Sequence, residues 1–368
     1  MYLKKLKLQN FRNHKDTELV FSDGLNFFIG NNGEGKTNLL EAIHSISTFK
    51  SFRGNSNREL TLWDDSFFYI KAEFESLGED KRIEFAFQKL DKDKIKMKLN
   101  GEAVTKKVDL VGEFKSIIYS PVDMEIIEGG PKKRRKFLDT LIAGFDRRYY
   151  KNLLEYNGIL KRRNTLLKKR QVLKAELFPW NKLLVERGTL IQEIRSKYAL
   201  QLNEYFKTNL MKISGEKDCF NFTYKPNVSD LSSYEQKMEL SLSKDIHLGY
   251  TSSGIHRDLI FMGKEERDLI EFASQGQKRS VVIALKTAAF QLMKELSSQY
   301  PVLLIDDVIR ELDIKRRQYF LDLLSCCGQV FFTTTDLDGM GEYFENFGRP
   351  YKVFKVTGGG VFETDEKG

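Results

Sequence analysis

Residues 27–43 read FFIGNNGEGKTNLLEAI. An apolar run stops at Gly30, and after the turn a lysine and a threonine open TNLLEAIHSIS, with Leu40, Ile43 and Ser47 on one helical face. The preceding GLNFFIG is continuously apolar, as expected of a strand buried on both faces. Strand, glycine turn and helix follow in order, and residues 30–37 fit GxxxxGK[ST]. Gly30, Gly33 and Gly35 let backbone amides converge on phosphate oxygens, and the helix behind them directs its positive end at the anion. In this reading Gly30, Asn31, Asn32, Gly33, Glu34, Gly35, Lys36, Thr37 and Asn38 cradle ATP, with Lys36 on the β and γ phosphates and Thr37 on Mg2+. The bland alternative is an ordinary glycine turn.

A phosphate loop of this kind requires a carboxylate on a neighbouring strand, and PVLLIDD at 301–307 supplies one after four apolar residues. Asp306 is the Mg2+ candidate, and Asp307 is placed to orient or deprotonate the attacking water. Upstream, FASQGQKRSVVIALKTAAFQLMKEL sets a Ser-Gln-Gly-Gln turn before a long apolar helix. That turn, Ser274, Gln275, Gly276 and Gln277, resembles the signature loop of ABC-type ATPases, in which one subunit's serine and helix N-terminus contact the γ-phosphate held by the other. The RELD that follows the double aspartate resembles the D-loop of the same class, with Asp313 near a dimer interface.

Composition bounds the rest. A chain of 368 residues with 41% hydrophobic residues buries a sizeable core in one large or two unequal domains. No apolar run is long enough to span a membrane and no signal h-region opens the chain, so a cytoplasmic protein is expected. Cys219, Cys326 and Cys327 do not have zinc spacing and read as reduced, and the four histidines form no HExxH pair, so any metal arrives with the substrate. The net charge of +8 is local: residues 131–174 hold fifteen Lys and Arg against three acids, while the remainder is net negative. Such a block is a candidate footprint for a polyanion, although charge runs also serve as solvated helix faces. Lys132, Lys133, Arg134, Arg135, Lys161, Arg162, Arg163, Lys168, Lys169 and Arg170 are the candidates for phosphate contacts.

Short strands open the chain, and period-two segments between 66 and 100 predict antiparallel hairpins. From 131 to 170 apolar residues recur every three or four positions, predicting one helix of up to about 60 Å. LFPWNK breaks the pattern at Pro179, and a second stripe follows from Leu183 to Tyr205, so the pair predicts an antiparallel helical arm. The fold expected is α/β: an ABC-type P-loop ATPase head, residues 1–120 with 245–368, carrying an antiparallel β lobe and an inserted helical arm domain over 121–244.

Together with LQNFRNH, SFRG at 51–54, SPVDMEIIEGGPKKRRKFLD at 120–139 and TSSGIHRDLIF at 251–261, these motifs resemble the RecF family of bacterial recombination mediators, relatives of the SMC and other DNA-repair ABC ATPases. The likeness covers nearly the whole chain. Val122, Ile255 and Leu259 depart from its usual pattern, no glutamine stands at a Q-loop, and QVFFTTT ends in threonines instead of a switch histidine. The resemblance implies ATP-dependent homodimerisation on double-stranded and gapped DNA, placement of RecA with RecO and RecR, an SOS-response role and a nucleoid-associated location. It also brings Arg12 and Asn13 near the nucleotide, a surface turn being the alternative, and leaves His256 and Arg257 as structural or interfacial. A transporter ATPase, an SMC-type chromosome clamp and a P-loop kinase are rival classes. The missing switch histidine and the basic block oppose the first, the short arm opposes the second, and the SQGQ turn opposes the third.

Overall fold

The computed structural model describes residues 1–169, 173–215, 218–228, 230–308, 312–325, 327–336 and 348–364. In chain order the first elements are β1 (Tyr2–Phe11), β2 (His14–Val20), β3 (Leu25–Ile29), α1 (Lys36–Thr48), α2 (Asn57–Leu60), β4 (Phe67–Ser76), β5 (Glu79–Gln88), β6 (Lys94–Leu99), β7 (Glu102–Val104) and β8 (Ser116–Tyr119). Next come α3 (Glu125–Glu128), α4 (Gly130–Ala143), α5 (Arg147–Leu167), α6 (Lys174–Ser214), β9 (Asn221–Lys225), α7 (Leu231–Leu240), α8 (Leu242–Leu248), β10 (Leu259–Lys264), β11 (Arg267–Asp268) and α9 (Leu269–Phe272). The chain closes with α10 (Gln275–Ser297), β12 (Val302–Asp306), α11 (Ile314–Ser325), β13 (Val330–Thr334), β14 (Tyr351–Thr357) and β15 (Gly360–Thr364).

Two compact units result, Met1–Asp123 with Ala289–Gly368, and Met124–Ala288. In the first, a six-stranded sheet runs β15-β14-β3-β13-β12-β8, parallel except for the β14–β15 hairpin. Its inner strands LNFFI, VLLID and VFFTT are buried throughout, which explains why they are uniformly apolar. A second sheet, β2-β1-β4-β5-β6-β7, is antiparallel, and β4 alternates buried and accessible positions as its period-two sequence predicts. One core joins the two sheets through α1, with Leu6, Phe68 and Phe85 from the antiparallel sheet, Leu40 and Ile43 from the helix, and Leu304, Phe331 and Phe354 from the parallel sheet. Edge-on aromatic pairs lock it, among them Phe21–Phe331 at 4.8 Å and Phe68–Phe85 at 5.3 Å between ring centres.

The second unit is helical with a three-stranded sheet, β11-β10-β9. α5 and α6 lie antiparallel: Glu155 pairs with Arg187 at 3.0 Å, and Arg163 donates to Asn181 at 2.7 Å. Two details correct the sequence expectation. The single helix over 131–170 is two, because Asp146 turns extended and accepts from the Tyr149 amide, capping a new start. Pro179 breaks nothing; it lies in the second turn of α6, where its missing N–H forfeits one intrahelical bond. The units also divide at Ala288 and not at residue 244, since β10 pairs with β9 and Arg134 donates to the Ile260 carbonyl.

Candidate active site

β3 ends at Ile29 and the chain turns through glycines whose φ angles few other residues adopt: 151° at Gly30, 87° at Gly33 and 112° at Gly35. A Cβ at Gly30 would stand 2.3 Å from the Val356 carbonyl oxygen, so the loop also needs glycine there for space. No side chain caps α1 and no acid lies in its first turn, which leaves the positive helix end to a ligand. Lys36 is buried, and its Nζ donates to the carbonyls of Gly30 (2.7 Å) and Asn31 (3.0 Å), holding the ammonium inside the loop.

Parallel pairing of β12 with β13, and of β13 with β3, carries Asp306 to the same end of the sheet. Thr37 Oγ1 donates to Asp306 Oδ1 at 2.6 Å, and Thr333 Oγ1 donates to the same oxygen at 3.0 Å. Burial pushes the Asp306 carboxyl above its ordinary pKa, against the pull of these two hydroxyls. A hydroxyl and a carboxylate side by side are hard oxygen donors of the kind that would hold Mg2+. Among the described residues no three His, Cys, Asp or Glu side chains gather as an all-protein metal site. Asp307 has φ 51°, and its amide donates to Thr333 Oγ1 at 3.1 Å. A non-glycine residue in this region is strained, and such strain gathers at functional positions.

Arg12 and Asn13 support the loop in different ways. Arg12 forms a two-pronged pair with the fully buried Glu41, at 2.8 and 3.1 Å, and reaches Asn55 at 2.8 Å. Asn13 donates to the Glu34 carbonyl at 2.9 Å and accepts from Asn38 at 2.8 Å; Arg53 donates to Asn38 at 3.1 Å. The Glu34 carboxylate accepts from the Gly358 amide. Thr333, Glu41 and Arg53 join the site only through contacts made across the chain. The SFRG and FFTTT stretches that contain two of them are visible in the sequence, but their partners are not.

In the other unit, Ser274 and Gln277 close a reciprocal box. The Ser274 amide donates to Gln277 Oε1 at 2.9 Å, and the Gln277 amide donates to Ser274 Oγ at 3.2 Å. Gln277 Nε2 donates in turn to Asp218 at 2.8 Å. Ser274 and Gln275 are exposed, and Gly276 is half-buried. Asp313 accepts from the Arg316 amide at 2.9 Å, beginning α11, while Arg310 and Glu311 lie outside the described residues.

The basic candidates separate into two groups. Arg134 and Arg163 are buried inside the unit and are not available to an external phosphate. Arg134 pairs with Asp268, and Arg163 pairs with Asp245 at 2.8 Å and also donates to Thr251 at 2.7 Å. This corrects their reading as external contacts: a guanidinium without water must be satisfied by a carboxylate. Arg135 donates to the Asp258 carbonyl at 2.7 Å, and Lys133 pairs with Glu125. Lys132, Lys161, Arg162, Lys168 and Lys169 are exposed, and Arg170 lies outside the described residues. His256 is structural, bonded to Tyr156 at 2.9 Å and to the Thr251 carbonyl at 3.0 Å; burial lowers its pKa to about 4.

A P-loop, a strand-end aspartate and a serine-capped helix on this sheet order define the class, an ABC-type ATPase head of the SMC kind. A family profile described as RecF/RecN/SMC N terminal domain matches residues 2–359. The DNA replication and repair protein RecF of Leptospira interrogans is 47% identical over 98% of this chain and 99% of its own. That of Clostridium acetobutylicum is 36% identical over 99% and 100%. A solved structure of a recombination mediator RecF with ATP, in the RecFOR pathway, superposes with a TM-score of 0.91 at 32% identity, covering 99% of this chain and 97% of that one. An Smc head domain from Pyrococcus furiosus, 17% identical with a TM-score of 0.55, shares the fold. The chain belongs to the RecF family of DNA replication and repair proteins.

Proposed function

We propose that this protein binds ATP between two of its copies and uses the closed dimer to hold DNA. The observation that carries the reading is the Thr37–Asp306–Thr333 cluster beneath a glycine loop already wrapped around Lys36. Lys36 and the loop amides bind the β and γ phosphates, and Thr37 with Asp306 holds Mg2+. The metal, when bound, neutralises developing charge on the transferred phosphoryl group. Asp307 orients the attacking water, and Ser274 of the second copy, with the start of its α10, faces the γ-phosphate across the interface. Because that contact exists only with the γ-phosphate present, ATP favours closure and hydrolysis releases it. An aspartate in this role is one methylene shorter than a glutamate, which suits slow, switch-like turnover.

The exposed Lys132, Lys161, Arg162, Lys168 and Lys169 serve the DNA backbone, giving salt-dependent and largely sequence-independent affinity for duplex or gapped DNA. Family membership, with a relative placed in the RecFOR pathway, supports RecR and RecO as partners and RecA as the protein delivered, in the cytoplasm at the nucleoid. Among the described residues no helix is long and apolar enough to cross a membrane.

The test mixes a Lys36→Ala copy with a Ser274→Ala copy and follows ATP hydrolysis and sedimentation. Restored activity in the mixture, with each variant inactive alone, is expected from one intact composite pocket. A lone monomer hydrolysing at the wild-type rate would overturn the reading.

A further inference from the structure

The back of the P-loop rests on the hairpin turn between β14 and β15. The Gly359 amide donates to the Glu34 carbonyl at 3.1 Å, and Asn13 Nδ2 donates to the same oxygen at 2.9 Å. The Gly358 amide meets the Glu34 carboxylate. His14 is fully buried and spans the junction: Nδ1 is 2.8 Å from the Gly359 carbonyl and Nε2 is 3.2 Å from the Gly35 carbonyl. Burial lowers its pKa, so the ring is neutral near pH 7 and carries one N–H; the shorter contact places that proton on Nδ1. The turn has no spare room. Gly359 has φ 83°, and a Cβ there would stand 2.1 Å from the Asn13 carbonyl oxygen.

A trans peptide points its N–H opposite to its C=O. Holding the Glu34 carbonyl from behind therefore aims the Gly35 amide to the other side of the loop, and holding the Gly35 carbonyl does the same for the Lys36 amide. The Gly35 carbonyl is held by the first turn of α1, through Asn38 N at 2.9 Å and Leu39 N at 3.3 Å, because the unprotonated His14 Nε2 has no hydrogen to donate to it. The Glu34 carbonyl accepts from Gly359 and Asn13, both outside the loop. We infer that the Gly358–Gly359 turn, locked by His14 and joined by Asn13, is a clamp that orients the phosphate-binding amides, with Asn13 and His14 as positioning residues that never touch ATP. This deepens the nucleotide reading of the loop and rests on it.

The experiment uses the full chain as wild type, Lys36→Ala, Asn13→Ala, His14→Phe and His14→Gln. It measures ATP affinity by titration, KM and kcat for hydrolysis, and the melting temperature. Misaimed amides weaken ground state and transition state alike, so Asn13→Ala and His14→Phe are expected to raise Kd and KM about tenfold with kcat nearly unchanged, roughly one hydrogen bond to a charged group. His14→Gln keeps a donor for the Gly359 carbonyl and restores most of the affinity. Wild-type affinity in both Asn13→Ala and His14→Phe, with Lys36→Ala defective, would overturn the clamp. Wild-type affinity in Lys36→Ala as well would overturn the nucleotide reading beneath it. A variant whose loss of affinity follows its melting temperature, without rescue by glutamine, counts against positioning.

Discussion

The hydroxyl of Thr37 donates to the carboxylate of Asp306 across 2.6 Å, joining residues 269 positions apart in sequence. This bond holds together the two side chains proposed to bind Mg2+. Thr37→Val removes that donor without adding bulk and leaves Asp306 with Thr333 alone. Hydrolysis is expected to fall at least ~100-fold, the usual effect of removing one preorganised electrostatic interaction. Phosphate release measured across a Mg2+ series checks it; a rate restored by excess metal would instead indicate a simple loss of metal affinity.

Ser274 both caps its own helix and is assigned to a neighbour's γ-phosphate, and two substitutions separate these roles. Ser274→Ala loses the cap and is expected to cost about 1 kcal/mol in urea unfolding. Ser274→Asp keeps a capping oxygen, so stability holds, but brings negative charge to the phosphate. ATP-dependent dimerisation in Ser274→Asp, read by sedimentation, should be absent. An Asp variant that dimerises like wild type removes the serine from the interface.

On the arm, position matters more than charge count. Arg163→Ala leaves Asp245 buried without its partner and is expected to destabilise the protein by about 3–5 kcal/mol. Lys161→Ala with Arg162→Ala should barely change stability but reduce the slope of log affinity for duplex DNA against log salt, by about one unit for each phosphate no longer neutralised. An unchanged slope places the DNA path elsewhere.

His256 gives a pH signature. Its pKa falls from an ordinary 6.5 to about 4 on folding, so the unfolded chain takes up the proton first. The stability this residue protects is complete above pH 6.5 and is lost as pH falls from there toward 4, by ~3 kcal/mol at 1.36 kcal/mol per pKa unit. Urea unfolding of wild type and His256→Gln between pH 7.5 and about pH 4 should therefore converge on acidification. Parallel curves would show that His256 does not carry that slope.

The parts of the site legible in sequence are those whose meaning is local. Gly30 to Thr37 declare themselves by spacing, and Asp306 by the apolar strand that carries it. Ser274 is legible as the cap of the helix it opens. What stayed hidden depends on pairing across the chain: Thr333 acts only because β13 lies beside β12, and Glu41 only because Arg12 returns to it. Arg163 was hidden differently. Within a basic run it counts as surface charge, yet it follows Tyr149 and Tyr156 at helical spacing and precedes Leu167 by four, so it falls on the buried stripe of α5. The expectation of one long helix failed at Asp146, where a local capping bond outweighed an unbroken apolar period.

β3 emerges early in synthesis, yet both strands that flank it, β13 and β14, are among the last to be made. The arm, by contrast, is contiguous from Met124 to Ala288. A chain ending after Ala288 therefore lacks both strands that flank β3, leaving that strand's edges without their partners. The strand order thus ties completion of the central sheet to completion of the chain.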